Sequence, residues 1–303
     1  MKQASRNFFL FLSKNKTLNK SAKRWGLSLG ASKVVAGADL KEAMESVRKL
    51  NQEGLMCTLD HLGEFVTEKQ EAKDAADYSL KTLEAIVNYE VDCNLSLKLT
   101  KLGLDIDRKL CIQNMEKILE KAAAYDIFVR IDMEDYAHYE QTLDILKQLR
   151  KKYSNVGTVI QAYLYRASQD VEALKGVPLR LVKGAYKESP AVAMQEKAAI
   201  DENFFNIIQI HLLNGSYTAI ATHDHVIIEK VKAFVTQHNI PRDLFEFQML
   251  YGFRTEMQLQ IVKEGYLFRT YVPFGKDWYG YFMRRLAERP QNVAFAFKGL
   301  FSK

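Results

Sequence analysis

The sequence predicts an α/β fold: a (β/α)8 TIM-type barrel with an N-terminal helical cap. Three observations carry that expectation. Beyond about residue 54, short apolar runs alternate with longer amphipathic ones. The alternation makes eight consecutive strand-then-helix units in roughly 250 residues, more than a doubly wound sheet would ordinarily need. Polar residues recur near the same end of most of the apolar runs.

The first strand is read at Leu55–Leu59, with Asp60-His61 and Glu64 following it. A helical pattern near 71–89 leads to Cys93–Leu99, the second strand, with Lys98 at its end. After a helix at 107–124, the third strand, Ile127–Met133, ends in Asp132, and Glu134 lies just beyond. A helix at 136–150 precedes Val156–Tyr163, where Gln161 ends the fourth strand. A helix at 168–175 separates it from Pro178–Ala185, which holds Arg180 and Lys183. The sixth strand, Thr218–Thr222, follows a helix at 201–214 and closes on Thr222-His223. The seventh, Phe245–Leu250, follows a helix at 226–238 and carries Gln248. A helix at 254–264 leads to Leu267–Val272, and a last helix runs from about Asp277 to Arg289. Residues 1–50, largely helical in pattern, are the expected cap, and 51–303 the barrel.

The fifth strand is the most informative stretch. Arg180, Val182 and Gly184 share one side; Leu181, Lys183 and Ala185 share the other. A charge on each face of a buried strand is costly unless a charged ligand or partner meets it. A barrel keeps its active site at the C-terminal ends of its strands, where these polar residues gather. The last helix adds Tyr281, Arg284, Arg285 and Glu288 at i, i+3, i+4 and i+7, on one face. Adjacent guanidiniums offer planar donor forks suited to a carboxylate, although a solvated basic face has the same spacing.

The chain has 303 residues, 48% hydrophobic and 26% charged, with 43 Lys plus Arg against 37 Asp plus Glu. The modest positive excess suits an anionic ligand or surface, and the absence of a basic block argues against nucleic acid. Cys57, Cys93 and Cys111 lack CxxC spacing and read as reduced thiols of a cytoplasmic protein. The run Phe8 to Leu12, followed by Lys14 and Lys16, is too short to span a membrane and reads as an amphipathic helix. Neither GxGxxG nor GxxxxGK[ST] occurs, and Gly26 to Lys33 is a near miss. His223-Asp224-His225 has no further ligand in a recognised metal spacing, so no metal is expected. No GxSxG nucleophile elbow is present.

In order along residues 54–290, eight segments resemble the proline dehydrogenase family. They are Leu95-Ser-Leu-Lys98-Leu, Ile131-Asp132-Met-Glu134, Ile160-Gln161-Ala-Tyr163 and Arg180-Leu-Val-Lys183-Gly-Ala-Tyr186. Ala221-Thr222-His223, Glu246-Phe-Gln248-Met-Leu250-Tyr-Gly252, Arg269-Thr-Tyr271-Val-Pro273 and Tyr281-Phe-Met-Arg284-Arg285-Leu-Ala-Glu288 complete the set. Each word alone is weak; their shared order makes the resemblance specific. Asp224 stands where many relatives have asparagine, and Met194-Gln-Glu-Lys197 fits the family's stretch only loosely.

The resemblance implies FAD at the barrel mouth and oxidation of L-proline to Δ1-pyrroline-5-carboxylate, with electrons passed to a quinone. It implies Lys98, Arg284 and Arg285 on the proline carboxylate, with Tyr271, Tyr281 and Leu250 closing over the ring. Asp132, Gln161 and Arg180 would lie near the isoalloxazine, Asp132 and Arg180 as the catalytic pair. Met133, Val182, Lys183, Gly184, Ala185, Thr222, His223, Gln248 and Glu288 would contact FAD. Glu64 resembles the family's gate, pairing with Arg284, and Tyr271 favours proline over hydroxyproline. A separate pyrroline-5-carboxylate dehydrogenase would take the product, since 303 residues leave no room for one. The expected location is cytoplasmic, with peripheral contact at the inner face of the membrane. Two other readings stay open: a Schiff-base aldolase using Lys98 or Lys183, and a non-enzymatic flavin- or carboxylate-binding barrel.

Overall fold

Eight parallel strands close on themselves in chain order. They are β1 (Met56–His61), β2 (Cys93–Leu97), β3 (Val129–Ile131), β4 (Val156–Gln161), β5 (Leu179–Val182), β6 (Thr218–Ala221), β7 (Phe245–Leu250) and β8 (Phe268–Phe274). β8 pairs back onto β1, from Met56↔Arg269 to His61↔Phe274, so none of these eight strands is left as an edge. The computed structural model describes residues 11–12, 31–63 and 66–288, with the backbone alone for 286–288.

Among the described residues, the helices with full bounds are α1 (Leu40–Gln52), α2 (Lys69–Asn88), α3 (Arg108–Ala124), α4 (Tyr139–Arg150), α5 (Ala167–Ala173), α6 (Lys197–Leu213), α7 (His225–Gln237), α8 (Thr255–Lys263) and α9 (Trp278–Glu288). Carboxylates start several of them. Asp39 accepts from Glu42 N, Asp107 from Lys109 N and Leu110 N, and Asp224 from Val226 N, each satisfying N–H groups that a helix start leaves without partners. Glu71 reaches back to Thr67 N and Glu68 N to start α2. None of the described helices is long and apolar enough to cross a membrane.

Several strand ends differ from expectation. β2, β3, β4, β5 and β6 stop short, which leaves Lys98, Asp132, Lys183 and Thr222 just past their strands. After Leu97 the chain enters the 3-10 turn Thr100–Leu102, and after Val182 it turns at Gly184, whose φ of +113° suits only glycine. β1 and β8 run further than expected because they pair with each other to their ends, so Asp60 and His61 belong to β1.

The outward faces are apolar: Cys57, Leu59, Leu95, Val129, Leu181 and Phe247 pack into the core shared with the helices. The inward faces carry many polar residues, with Val159, Ala219 and Ala221 among the apolar exceptions. Arg180 on β5 reaches Ser96 on β2, and strands so far apart in the ring meet only through the interior. A barrel of this type is ordinarily filled by layers of Val, Ile and Leu. Here Arg130, Glu246 and Arg269 form the floor, each buried. Arg130 crosses to the carbonyls of Pro178 (2.6 Å) and Thr158 (3.1 Å) over Gly157, where a Cβ would lie 2.0 Å from the Pro178 oxygen.

α1 and α9 differ in place from the cap and the outer helix expected of them. α1 packs against β1 and β8 and buries Ala43, Met44 and Val47 in the main core. α9, which follows β8, instead joins Ala31, Val35 and Leu62 in a second cluster through Trp278, Tyr281 and Phe282. Leu62 directly follows β1, so α9 lies at the mouth.

Candidate active site

Asp132 is the hub of the mouth. Its Oδ1 accepts from Ser96 Oγ at 2.6 Å and Arg180 Nη1 at 2.8 Å. Its Oδ2 accepts from Tyr271 Oη at 2.8 Å and Lys98 Nζ at 3.4 Å. Asp132 is buried, its side chain 12% exposed, and four donors drawn from three strands or their ends match the four lone-pair positions of its carboxylate. The Arg180 guanidinium also lies 5.0 Å from the centre of the Tyr271 ring, a cation–π contact.

Lys98 joins this hub to Asp60, with Nζ 3.0 Å from Oδ2. Burial works to raise the Asp60 pKa, but the charges of Lys98 and Lys101 outweigh it and hold the carboxyl below its ordinary range. Burial, with the charges of Asp132 and Asp60, pushes the Tyr271 phenol well above its ordinary value, so it remains a donor.

A second chain of contacts descends from Arg180 to the floor. Arg180 Nε donates to Gln248 Oε1 at 2.7 Å, and Gln248 Nε2 donates to Glu246 Oε1 at 2.5 Å. Glu246 receives Arg269 Nε on both oxygens, at 3.1 and 3.0 Å, and Tyr217 Oη at 2.8 Å. Burial, reinforced by the Arg180 charge, lowers the Arg130 pKa to about 9.

The remaining mouth residues ring this core. Gln161 Nε2 donates to the Glu134 carbonyl at 3.0 Å, while the Glu134 carboxylate takes Thr100 N and Oγ1. Burial raises the Glu134 pKa despite those bonds. His223 Nε2 accepts from Leu250 N at 3.2 Å, joining the ends of β6 and β7. Thr222 and Met133 are buried, Val182 and Leu250 half-buried, and Ala185 exposed. At Gly184 a Cβ would meet the Tyr163 ring at 2.6 Å, so the backbone is pressed against an aromatic face.

Lys183 faces away from Asp132. Its ammonium sits between Asp201 of α6, at 2.5 Å, and Asp224, at 2.9 Å. Asp224 thereby gains a role that asparagine would fill only in part: it starts α7 and carries a charge opposite Lys183. Lys98 and Lys183 are each engaged by two carboxylates, whereas carbonyl attack by an amine requires a free lone pair.

Tyr281, Arg284 and Arg285 stand on α9, with the Arg285 guanidinium 5.2 Å from the centre of the Tyr281 ring. Tyr281 is buried, and both arginines are half-buried. Glu64 and the side chain of Glu288 lie outside the described residues.

A family model for proline dehydrogenase matches residues 43–297. Proline dehydrogenase 2 of Bacillus subtilis (strain 168) is 52% identical over 301 residues, covering 99% of each chain. The chain belongs to the proline dehydrogenase family. Proline dehydrogenase of Deinococcus radiodurans is 40% identical over 285 residues, 92% of this chain and 91% of the relative. Proline utilization A from Bdellovibrio bacteriovorus, solved after inactivation by N-propargylglycine, superposes with a TM-score of 0.80 at 27% identity. That match covers 90% of this chain and 34% of the larger one, so this family member spans about a third of it.

Asp60, Ser96 and Glu246 are among the residues of the site that had no role in the sequence reading. Asp60 was visible at a strand end, but its bond to Lys98 depends on the β1–β2 register. Ser96 was an ordinary strand serine until Asp132 and Arg180 were set against it. Glu246 alternates with Gln248 on β7, and that period-2 spacing was the signal available for it.

Proposed function

We propose that this chain is an FAD-dependent proline dehydrogenase that oxidises L-proline to Δ1-pyrroline-5-carboxylate and passes the electrons to a quinone. The observation that carries the reading is the buried hub in which Asp132 gathers Lys98, Arg180 and Tyr271 at the mouth, in a chain of this family.

The residues present fit FAD. Gln161 Oε1 is buried without a hydrogen-bond partner among the described residues, an acceptor suited to a ring N–H. Met133, Gln161, Val182, Lys183, Gly184, Ala185, Thr222, His223, Gln248 and Glu288 would hold the cofactor. When bound, FAD supplies the two-electron acceptor for the hydride that leaves the proline ring.

Lys98, Arg284 and Arg285 would orient proline through its carboxylate, and Tyr271, Tyr281 and Leu250 would pack on its ring. Arg180 would stabilise negative charge arising at the reacting edge, and Asp132 fixes the direction of Arg180. The proline nitrogen must be unprotonated to release the hydride; water would take that proton, since Asp132 already accepts from four donors. Closure of Glu64 onto Arg284 would exclude water from the ring. Peripheral contact at the inner membrane face would give access to quinone from the cytoplasm. The product would pass to a separate pyrroline-5-carboxylate dehydrogenase.

Anaerobic addition of proline to the FAD-loaded protein should bleach the flavin absorbance. An unchanged spectrum in a flavin-loaded sample would overturn the assignment.

A further inference from the structure

The floor of the barrel is connected to its mouth through one amide. Glu246 and Gln248 stand two residues apart on β7 and share its inward face. Glu246 is 1% exposed, and its oxygens are held by Arg269, by Tyr217 and by the amide nitrogen of Gln248. That grip fixes the carboxylate, and the carboxylate in turn orients the amide. Reversed, the Gln248 oxygen would face the carboxylate and its NH2 would face the Arg180 Nε–H. Two repulsive contacts would replace two hydrogen bonds.

In the observed orientation Gln248 Oε1 takes Arg180 Nε at 2.7 Å while Asp132 Oδ1 takes Nη1 at 2.8 Å. Two acceptors on separate nitrogens fix the plane of a guanidinium, which one acceptor would leave free to swing.

We propose that Glu246 is a positioning residue of the active site: through the Gln248 amide it sets the plane of the Arg180 guanidinium at the flavin. The inference rests on the reading that Arg180 lies beside the flavin. Glu246 itself is not among the residues that would hold substrate or cofactor; it acts on Arg180 from two contacts away. The competing role for Glu246 is a brace between β7 and β8 through Arg269, which would operate whatever residue occupied position 248.

A double-mutant cycle separates the two roles. Glu246→Gln, Gln248→Met and the double variant are made in the full chain. Two quantities are measured: the Kd of apoprotein for FAD, from flavin fluorescence, and the rate constant for flavin bleaching by proline. Beside Gln248, Glu246→Gln should slow bleaching about tenfold or weaken FAD binding several-fold; in the Gln248→Met background it should change either by less than about twofold. Coupling in either quantity supports the positioning role, and equal losses in both backgrounds for both quantities overturn it. If Glu246→Gln does not fold because Arg269 is left buried and unpaired, the cycle is run with Glu246→Gln and Arg269→Met together, which removes both charges. Should proline fail to bleach the wild-type flavin, the proposed activity falls while the FAD-affinity cycle still decides the role of Glu246.

Discussion

The Tyr271 phenol donates a 2.8 Å hydrogen bond across the barrel to Asp132 Oδ2, the oxygen that also receives Lys98. Tyr271→Phe keeps the ring beneath Arg180 and removes this bond to a charged acceptor. The expected loss of stability is about 1.5–3 kcal/mol, read from urea unfolding, with the proline KM raised. Because burial and two neighbouring carboxylates hold the phenol well above its ordinary pKa, wild-type activity should show no step from its ionisation up to about pH 10. A step that Tyr271→Phe abolishes would contradict this.

Arg284 and Arg285 stand side by side on α9 at the mouth. Truncating either to Ala should weaken proline binding by on the order of 2–4 kcal/mol, a rise in KM of tens-fold or more. FAD content should change far less for Arg284→Ala. Steady-state kinetics with an unchanged KM in both variants would rule out the carboxylate clamp.

His61 makes stability depend on pH. It stacks on Tyr78 at 4.0 Å, lies 5.1 Å from Phe274, and has Lys101 Nζ 3.0 Å from Nδ1. Burial, aided by the Lys101 charge, lowers its pKa to about 3. With the folded pKa below the unfolded value of about 6.5, the unfolded chain takes up the proton first. The stability owed to neutral His61 is therefore whole above about pH 6.5 and declines as the pH falls toward 3. Thermal unfolding of wild type and His61→Gln should diverge between about pH 6.5 and 5, the variant losing less on acidification, before carboxylates titrate. Parallel curves would show that His61 does not control the slope.

Gly157 has no room to spare. An added Cβ would lie 2.0 Å from the Pro178 carbonyl oxygen and 2.9 Å from Arg130 Nη1. Relief would separate β4 from β5 or displace Arg130 from its two carbonyls. Gly157→Ala should cost on the order of 3 kcal/mol or lead to insoluble protein. A melting temperature within a degree or two of wild type would show that the floor can yield.

The periodicity of the chain was enough to locate the barrel because the outward strand faces are largely apolar and most of the described helices amphipathic. Lys98, Asp132 and Arg180 were visible because a charged group at a strand end is conspicuous against Leu and Val, whereas Tyr271 came only from the family resemblance. The pairings among them were not visible, since Arg180 meets Ser96 and Tyr271 meets Asp132 across the ring, where sequence distance says nothing about proximity. Lys183 shows the opposite limit. Strand alternation put it on the face opposite Arg180, yet only the structure brings Asp201 and Asp224 to meet it. The ends of β2 to β6 were overextended because a residue that continues the alternation still lacks a ladder partner once its neighbour turns away.

The charged floor ties two properties that most barrels keep apart. Where an interior is filled with Val and Leu, loops above it can be exchanged without disturbing what holds the strands. Here the residues that fill the interior also aim the mouth, through Arg269, Glu246, Gln248 and Arg180 in turn. Replacing the Glu246–Arg269 pair with well-packed apolar residues is the kind of change that often stabilises a protein. In this barrel such thermostabilised variants would be expected to lose turnover as they gain melting temperature. Directed evolution for heat resistance should therefore leave the floor alone and find its gains in the outer helices.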